Sequence, residues 1–478
     1  MVTSNIRSAR DYAIASQTEA EPPASVNKRK LSLSTKIAYG GGDFANQMVW
    51  TLASSYLAIF YTDTAGLSAA AVGVLMLVAR VLDTFVDPCI GAIAERTQSR
   101  FGRFRQWILY GSPVLALFLI LTFIVIPSVS EGVKLAYAII TYCILGIVYS
   151  AVNVPYGALV NVMTTDPADR TSLTSFRMAA TNLAAVLLSL VTVPLLVWLS
   201  GVGDGQTRTP FGYAMTAIIL GIGSLPFYFF LFAKAKENVQ VPEHKTKVPL
   251  KTTIRVVLDN GPLKAIFFVV LFTFLGYFGR LATVIYYLIY NVGNFTLLPF
   301  IMASSPLAGV VGIAIFTRYA AKFGKRRMCA VSLIGQAVAL VALYFSGWGN
   351  ITVVIVLSLL YGLMTFCMPI YLAMVSDVSD YAEDKTGVRT DGISYGAVSF
   401  STKVASAVGA LGVSVMGYFG YMANAQQTPE ALVGINLVTN LFPAVCCLLA
   451  LVPLALYNLS NTRCAEIRKR LDAQGAKE

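Results

Sequence analysis

The sequence predicts an all-α polytopic membrane protein with 12 transmembrane helices in two sets of six. Three observations carry that expectation. The chain is 56% hydrophobic and only 13% charged, with a mean hydropathy of +0.68, far more apolar than a soluble domain of its length. Its apolar residues fall into twelve runs of spanning length, and a basic motif recurs after the second run of each set of six.

Taken in order, residues 1–36 are polar and Ser-rich, with Arg7, Arg10, Lys28, Arg29, Lys30 and Lys36 but no apolar core of signal-peptide length. They read as a cytoplasmic tail. Apolar runs near 40–62, 69–94, 107–126, 133–161, 174–199 and 211–233 each meet the roughly 20 residues that a membrane crossing requires. These define a first bundle, 37–233. A charged central loop, 234–262, leads to six more runs near 263–291, 297–320, 328–346, 351–376, 393–420 and 433–457, the second bundle, 263–457, before a tail at 458–478. Lys and Arg collect in the loops after runs 2, 6, 8 and 10 and in both termini, with Arg208 the exception, so both ends are expected on the cytoplasmic side.

The repeat supports the division. RTQSRFGRFR (96–105) follows the second run and RYAAKFGKRR (318–327) follows the eighth, each setting basic residues around Phe-Gly. Two such halves with a long loop between them describe a carrier that rocks about a site at mid-membrane.

Several function classes are excluded by composition. The net charge of +12 sits in short loops rather than on a basic, aromatic-interleaved face, so no nucleic-acid partner is expected. The lone His244 lies in the central loop, and the seven cysteines (Cys89, Cys143, Cys329, Cys367, Cys446, Cys447 and Cys464) lack metal-ligand spacing. No catalytic cluster, metal site or cofactor is expected.

The second run instead carries Arg80, Asp83 and Asp87, which helical spacing places on one face. A carboxylate at membrane depth costs roughly 2.5–3.5 kcal/mol, so two of them imply a polar cavity or a bound cation. The alternative is a structural lock in which Arg80 neutralises one acid.

Further motifs carry a family resemblance. YGGGD (39–43), FYTD (60–63), LDTFVDP (82–88), GRFR (102–105), NVPY (153–156) and DVSDY (377–381) through KTGVR (385–389) occur in order. In them the chain resembles the glycoside-pentoside-hexuronide:cation symporters, the family of the melibiose permeases within the major facilitator superfamily. The resemblance, spanning about 31–460, implies a major facilitator-type fold with a central cavity, and import of a glycoside, pentoside or hexuronide with a cation. It implies that Asp83 and Asp87 hold the coupling ion with Ser150 as a hydroxyl neighbour. Val86 stands where an amide helps to hold sodium, and it supplies no oxygen, so H+ is favoured over Na+, with Na+ at Asp83 and Asp87 as the alternative.

On the sugar side the resemblance points to Asn46, Gln47, Tyr149, Asn153, Gly157, Arg177 and Lys403. Asn46-Gln47 replace a Lys-Asp pair, and Asn153 and Gly157 replace an Asp and a Trp, while the cations remain. Arg280, in the seventh run, and Ser399, one helical turn before Lys403, complete the candidate set. Arg177, Lys403 and Arg280 each call for a counter-charge, which an anionic substrate such as a hexuronide would supply; a neutral pentoside or disaccharide is the competing expectation. Asp43 is expected to cap the first helix or to pair with loop cations. The acidic run that includes Asp377 and Asp380, together with Arg389, is expected to gate the cytoplasmic side by pairing with Arg100 or Arg103 in one state. A monomer in a bacterial inner membrane is the expected setting. A lysolipid carrier on the same fold is a second possibility; a membrane enzyme or receptor would need a catalytic cluster or an extramembrane domain that the sequence lacks.

Overall fold

A computed structural model describes residues 31–164, 166–201, 209–237, 260–293, 298–317, 319–386 and 391–475. The first rod, α1 (Leu33–Thr51), starts on Ser32, whose hydroxyl accepts from the Thr35 amide, and runs on through π turns at Leu52–Tyr56 and Phe60–Thr64. It is followed by α2 (Ala69–Arg96), α3 (Arg105–Thr122), α4 (Glu131–Met163), α5 (Pro167–Ser200) and α6 (Pro210–Lys234). The second half opens with α7 (Gly261–Tyr286), which ends in a π turn at Tyr287–Val292, then α8 (Leu298–Phe316) and α9 (Lys325–Phe345). Next, α10 runs from Ile351–Leu363 through a 3-10 turn into Cys367–Thr386, and α11 joins Asp391–Gly409 to Gly412–Tyr418. Finally, α12 joins Pro429–Asn436 through the π turn Leu437–Leu441 to Phe442–Leu456. Among the described residues, 11 helices are long and apolar enough to cross a membrane. The first rod, rich in Gly, Ser, Thr and amides, is not among them and stands where the first of the twelve expected runs lies.

Packing shows the two-fold repeat. Within the first half α1 lies against α5 and α6, α2 and α3 against α4, and α3 against α6; within the second α7 lies against α11 and α12, α8 and α9 against α10, and α9 against α12. Adding six to each label of the first set yields the second. The helix pairs that join the halves, α2 with α11 and α5 with α8, exchange under the same operation. The predicted tail at 458–478 contains a further helix, α13 (Asn461–Gly475), which buries Ile467 and pairs Arg470 with Asp384 at 3.0 Å.

Close crossings are made by glycine. A Cβ on Gly312 of α8 would lie 2.1 Å from the Leu363 carbonyl oxygen, and one on Gly362 of α10 would lie 2.2 Å from that of Ser305. Backbone atoms cannot yield as side-chain ends do. Gly362→Ala is therefore expected to destabilise the protein by about 1–3 kcal/mol, read as a lower thermal midpoint in detergent. Gly41→Ala, whose Cβ would meet only Phe227 at 3.7 Å, leaves the midpoint nearly unchanged.

Candidate functional site

Between the halves lies a cavity of about 180 Å³ whose wall includes Trp50, Arg80, Asp83, Asp87, Tyr149, Ser150, Asn153, Thr402 and Lys403. The 3.6-residue period of α2 places Arg80, Asp83 and Asp87 on the cavity side. Arg80 lies over the Trp50 ring at 4.5 Å and reaches Asp83 at 3.5 Å. Asp83 itself packs against Gly146 of α4, where a Cβ would come within 2.5 Å of its Oδ1. Lys403, reaching across from α11, forms an ion pair with Oδ2 of Asp87 and donates to the Asp83 carbonyl at 3.4 Å. Oδ1 of Asp87 is buried and has no hydrogen-bond partner among the described residues. A carboxylate oxygen left bare in a low-dielectric wall is poised to take a proton or a cation.

A second polar cluster stands behind Asn153. Arg177 binds Asp43 in bidentate fashion, Nε to Oδ2 at 2.7 Å and Nη2 to Oδ1 at 3.1 Å, and lies over the Tyr156 ring at 4.6 Å. Thr181 donates to Oδ2 at 3.2 Å. Asn46 gives its amide N–H groups to Asp43 at 3.5 Å and Asn153 at 3.1 Å, while its own oxygen accepts from Tyr228 at 2.6 Å.

This geometry corrects the expectations for Asp43, Arg177 and Arg280. Asp43 lies inside α1 and neither caps it nor meets a loop cation; it is the partner of Arg177, 134 residues away. Arg177 therefore needs no substrate charge. Arg280 is 7% exposed and does not belong to the cavity wall: it donates to the Thr439 carbonyl at 3.0 Å and to Asn440, and lies 4.9 Å from the Tyr361 ring. Two amide-type oxygens and an aromatic face replace the expected counter-charge. Of the remaining candidates, Gly157 sits beside Arg177, where a Cβ would lie 3.9 Å from Nη1, whereas Gln47 and the exposed Ser399 do not line the cavity.

The gate pairs expected in one state are not formed in this one among the described residues. Arg100 rests over its neighbour Phe101, and Glu237 accepts from the backbone amides of Arg103, Phe104 and Arg105, so in this state the basic turn is held within its own half. Asp377 pairs with Lys325 at 2.6 Å, the counterpart turn of the second half. Among the described residues neither Arg100 nor Arg103 forms an ion pair with Asp377 or Asp380, and Arg389 lies outside the described residues. The halves are joined at the other end instead. Asp63, at the end of α1, accepts from the hydroxyls of Tyr290 and Tyr421, and its carbonyl accepts from Asn424. Thr62 and Tyr286 share a hydrogen bond of 3.0 Å, and α2 meets α11 at Gly73, where a Cβ would lie 2.0 Å from the Ser414 Oγ. Sequence reasoning quoted Asp63 only as part of a motif; a carboxylate at the end of an apolar run was the signal available.

A family model described as MFS/sugar transport protein matches residues 38–461. The chain belongs to that family. The transporter is 33% identical over 431 residues to the isoprimeverose transporter of Lactiplantibacillus pentosus, covering 88% of each chain. It is 31% identical to the glucuronide carrier protein homolog of Escherichia coli, covering 93% of this chain and 96% of that one. Its fold is that of solved carriers: a mutant form of the nucleoside transporter NupG superposes with a TM-score of 0.64 at 12% identity, covering 89% of the transporter and 100% of NupG. The transporter is thus a carrier and not an enzyme.

Proposed function

We propose that the protein is a proton-coupled symporter that brings a glycoside into the cytoplasm, with Asp87 as the proton acceptor and Asp83 and Arg80 as its electrostatic frame. The observation that carries this reading is the bare, buried Oδ1 of Asp87 beside an Oδ2 held by Lys403. A proton on Oδ1 removes the charge that holds Lys403, and the freed ammonium turns to substrate oxygen atoms. Proton and sugar then bind with reciprocal coupling, as symport requires. The orphan oxygen needs one proton, whereas a sodium ion would call for several oxygen ligands, and Val86 offers none. With Arg80, Lys403 and Arg177 each paired to a carboxylate, the empty site does not demand an anion, so a neutral glycoside comes first and a hexuronide second.

The basic loops support cytoplasmic termini. On that orientation the Asp63 contacts close the outer side and the cavity faces inward, with 37–233 and 263–457 as the two moving bodies. The setting we favour is a bacterial inner membrane, with the monomer as the working unit.

The test is entry of isoprimeverose and of phenyl glucuronide into proteoliposomes under an imposed pH gradient, without sodium and then with it. Sugar-driven alkalinisation of the medium in sodium-free buffer is the expected result. Uptake that follows only a sodium gradient would transfer the site to Na+, and uptake of neither sugar with stabilisation by lysolipid would overturn the sugar reading.

A further inference from the structure

The cluster behind Asn153 has a direction, and that direction selects substrate. Asp43 is a carboxylate surrounded by donors: Arg177 reaches both oxygens, Thr181 donates to Oδ2 and Asn46 to Oδ1. An ionised carboxylate accepts only. Were the Asn46 amide turned over, its oxygen would face Oδ1 of Asp43, two acceptors with no hydrogen between them, and its nitrogen would meet the Tyr228 hydroxyl. Asp43 therefore holds the Asn46 nitrogen on the side it shares with Asn153, and Tyr228, donating at 2.6 Å, holds the oxygen on the other. An amide nitrogen can only donate. Asn153 must accordingly present Oδ1 to Asn46, as the 3.1 Å contact shows. Its remaining end, the NH2 group, has no protein partner among the described residues, and Asn153 lines the cavity.

Resting on the sugar reading above, we propose that Asp43 is a positioning residue which, through Asn46, commits Asn153 to donate to substrate. The subsite beside Asn153 then takes a hydrogen-bond acceptor, such as a glycosidic, ring or hydroxyl oxygen. An isolated asparagine in that wall could turn over and serve either a donor or an acceptor. The relay removes that freedom, so substrates are sorted by which atom they present.

The experiment is a double-mutant cycle read as KM and kcat for isoprimeverose entry into proteoliposomes at a fixed pH gradient, with phenyl glucuronide as the second probe. Asn153→Ala is expected to raise KM about tenfold, the value of one lost substrate hydrogen bond. Asn46→Leu, which leaves the Asp43 and Arg177 pair in place, frees Asn153 to turn over while it can still donate, so KM rises by only about twofold with kcat within about twofold of the parent. Combining the two adds no rise beyond that of Asn153→Ala. Additive KM effects, or a fall in kcat with KM unchanged, would overturn the relay while leaving the sugar reading intact. Should Asn46→Leu fail to assemble, Tyr228→Phe removes one hydroxyl only; its smaller rise in KM should vanish in the Asn153→Ala background, and persistence there would overturn the relay. Failure of the wild-type protein to carry either probe overturns the sugar reading and the relay with it.

Discussion

Asp87→Asn is expected to cut concentrative uptake by about 100-fold, near the upper end of usual coupling between two ligands, while exchange of labelled for unlabelled sugar across the membrane survives. Asparagine resembles the protonated acid in shape and charge. It leaves Lys403 free as the loaded carrier would have it, but it has no proton to release inside. Wild-type accumulation follows the imposed proton gradient; the variant's exchange rate is indifferent to it. A variant that still accumulates sugar, with the parent's dependence on the gradient, would remove Asp87 from the coupling role. Indifference to the gradient in Asp83→Asn instead would move the proton one turn up α2.

The second large effect concerns the end of the molecule where Asp63 joins the halves. Asp63→Ala removes the shared acceptor of two tyrosine hydroxyls. Hydrogen bonds to a charged group contribute about 1.5–3 kcal/mol each, so losing two shifts the balance between inward- and outward-facing states by at least tenfold. The measurement uses Ser406→Cys, a position in the cavity wall, in a background whose native cysteines have been replaced. Labelling of this cysteine by an impermeant maleimide added outside should rise by about tenfold or more on adding Asp63→Ala. Unchanged external labelling would show that the Asp63 contacts do not hold that side shut.

The helices and the acid pair were legible because both are local in sequence. Apolar runs of spanning length show themselves by composition, and Asp83 and Asp87 share a face by helical period alone. The site's wiring was hidden because it is made between distant residues. Nothing near Asp43 in sequence announces Arg177, and the Asn46 to Asn153 contact spans 107 residues. Treating each buried cation as wanting an external anion overlooked two kinds of internal partner. One is an acid on another helix, as for Arg177; the other is a set of neutral acceptors with an aromatic face, as for Arg280. The expected gate is not on view for a different reason: it was set for one state only, and a single conformation displays the pairs of one side, here with Glu237 on the Arg103 backbone amide and Lys325 on Asp377.

One backbone feature gives the Asp63 contacts a mechanical character. Thr62 and Asp63 lie in the π turn Phe60–Thr64, and Tyr290 lies in the π turn Tyr287–Val292. A π turn is wider by one residue than the α-helix around it. Tightening it to α geometry screws whatever follows about the helix axis without bending the rod. The seal can therefore be undone by winding: a short stretch of α1 and of α7 turns, the carboxylate and the hydroxyls swing apart, and the crossings at Gly312 and Gly362 keep their grip. Such a latch can release before the two halves move as bodies.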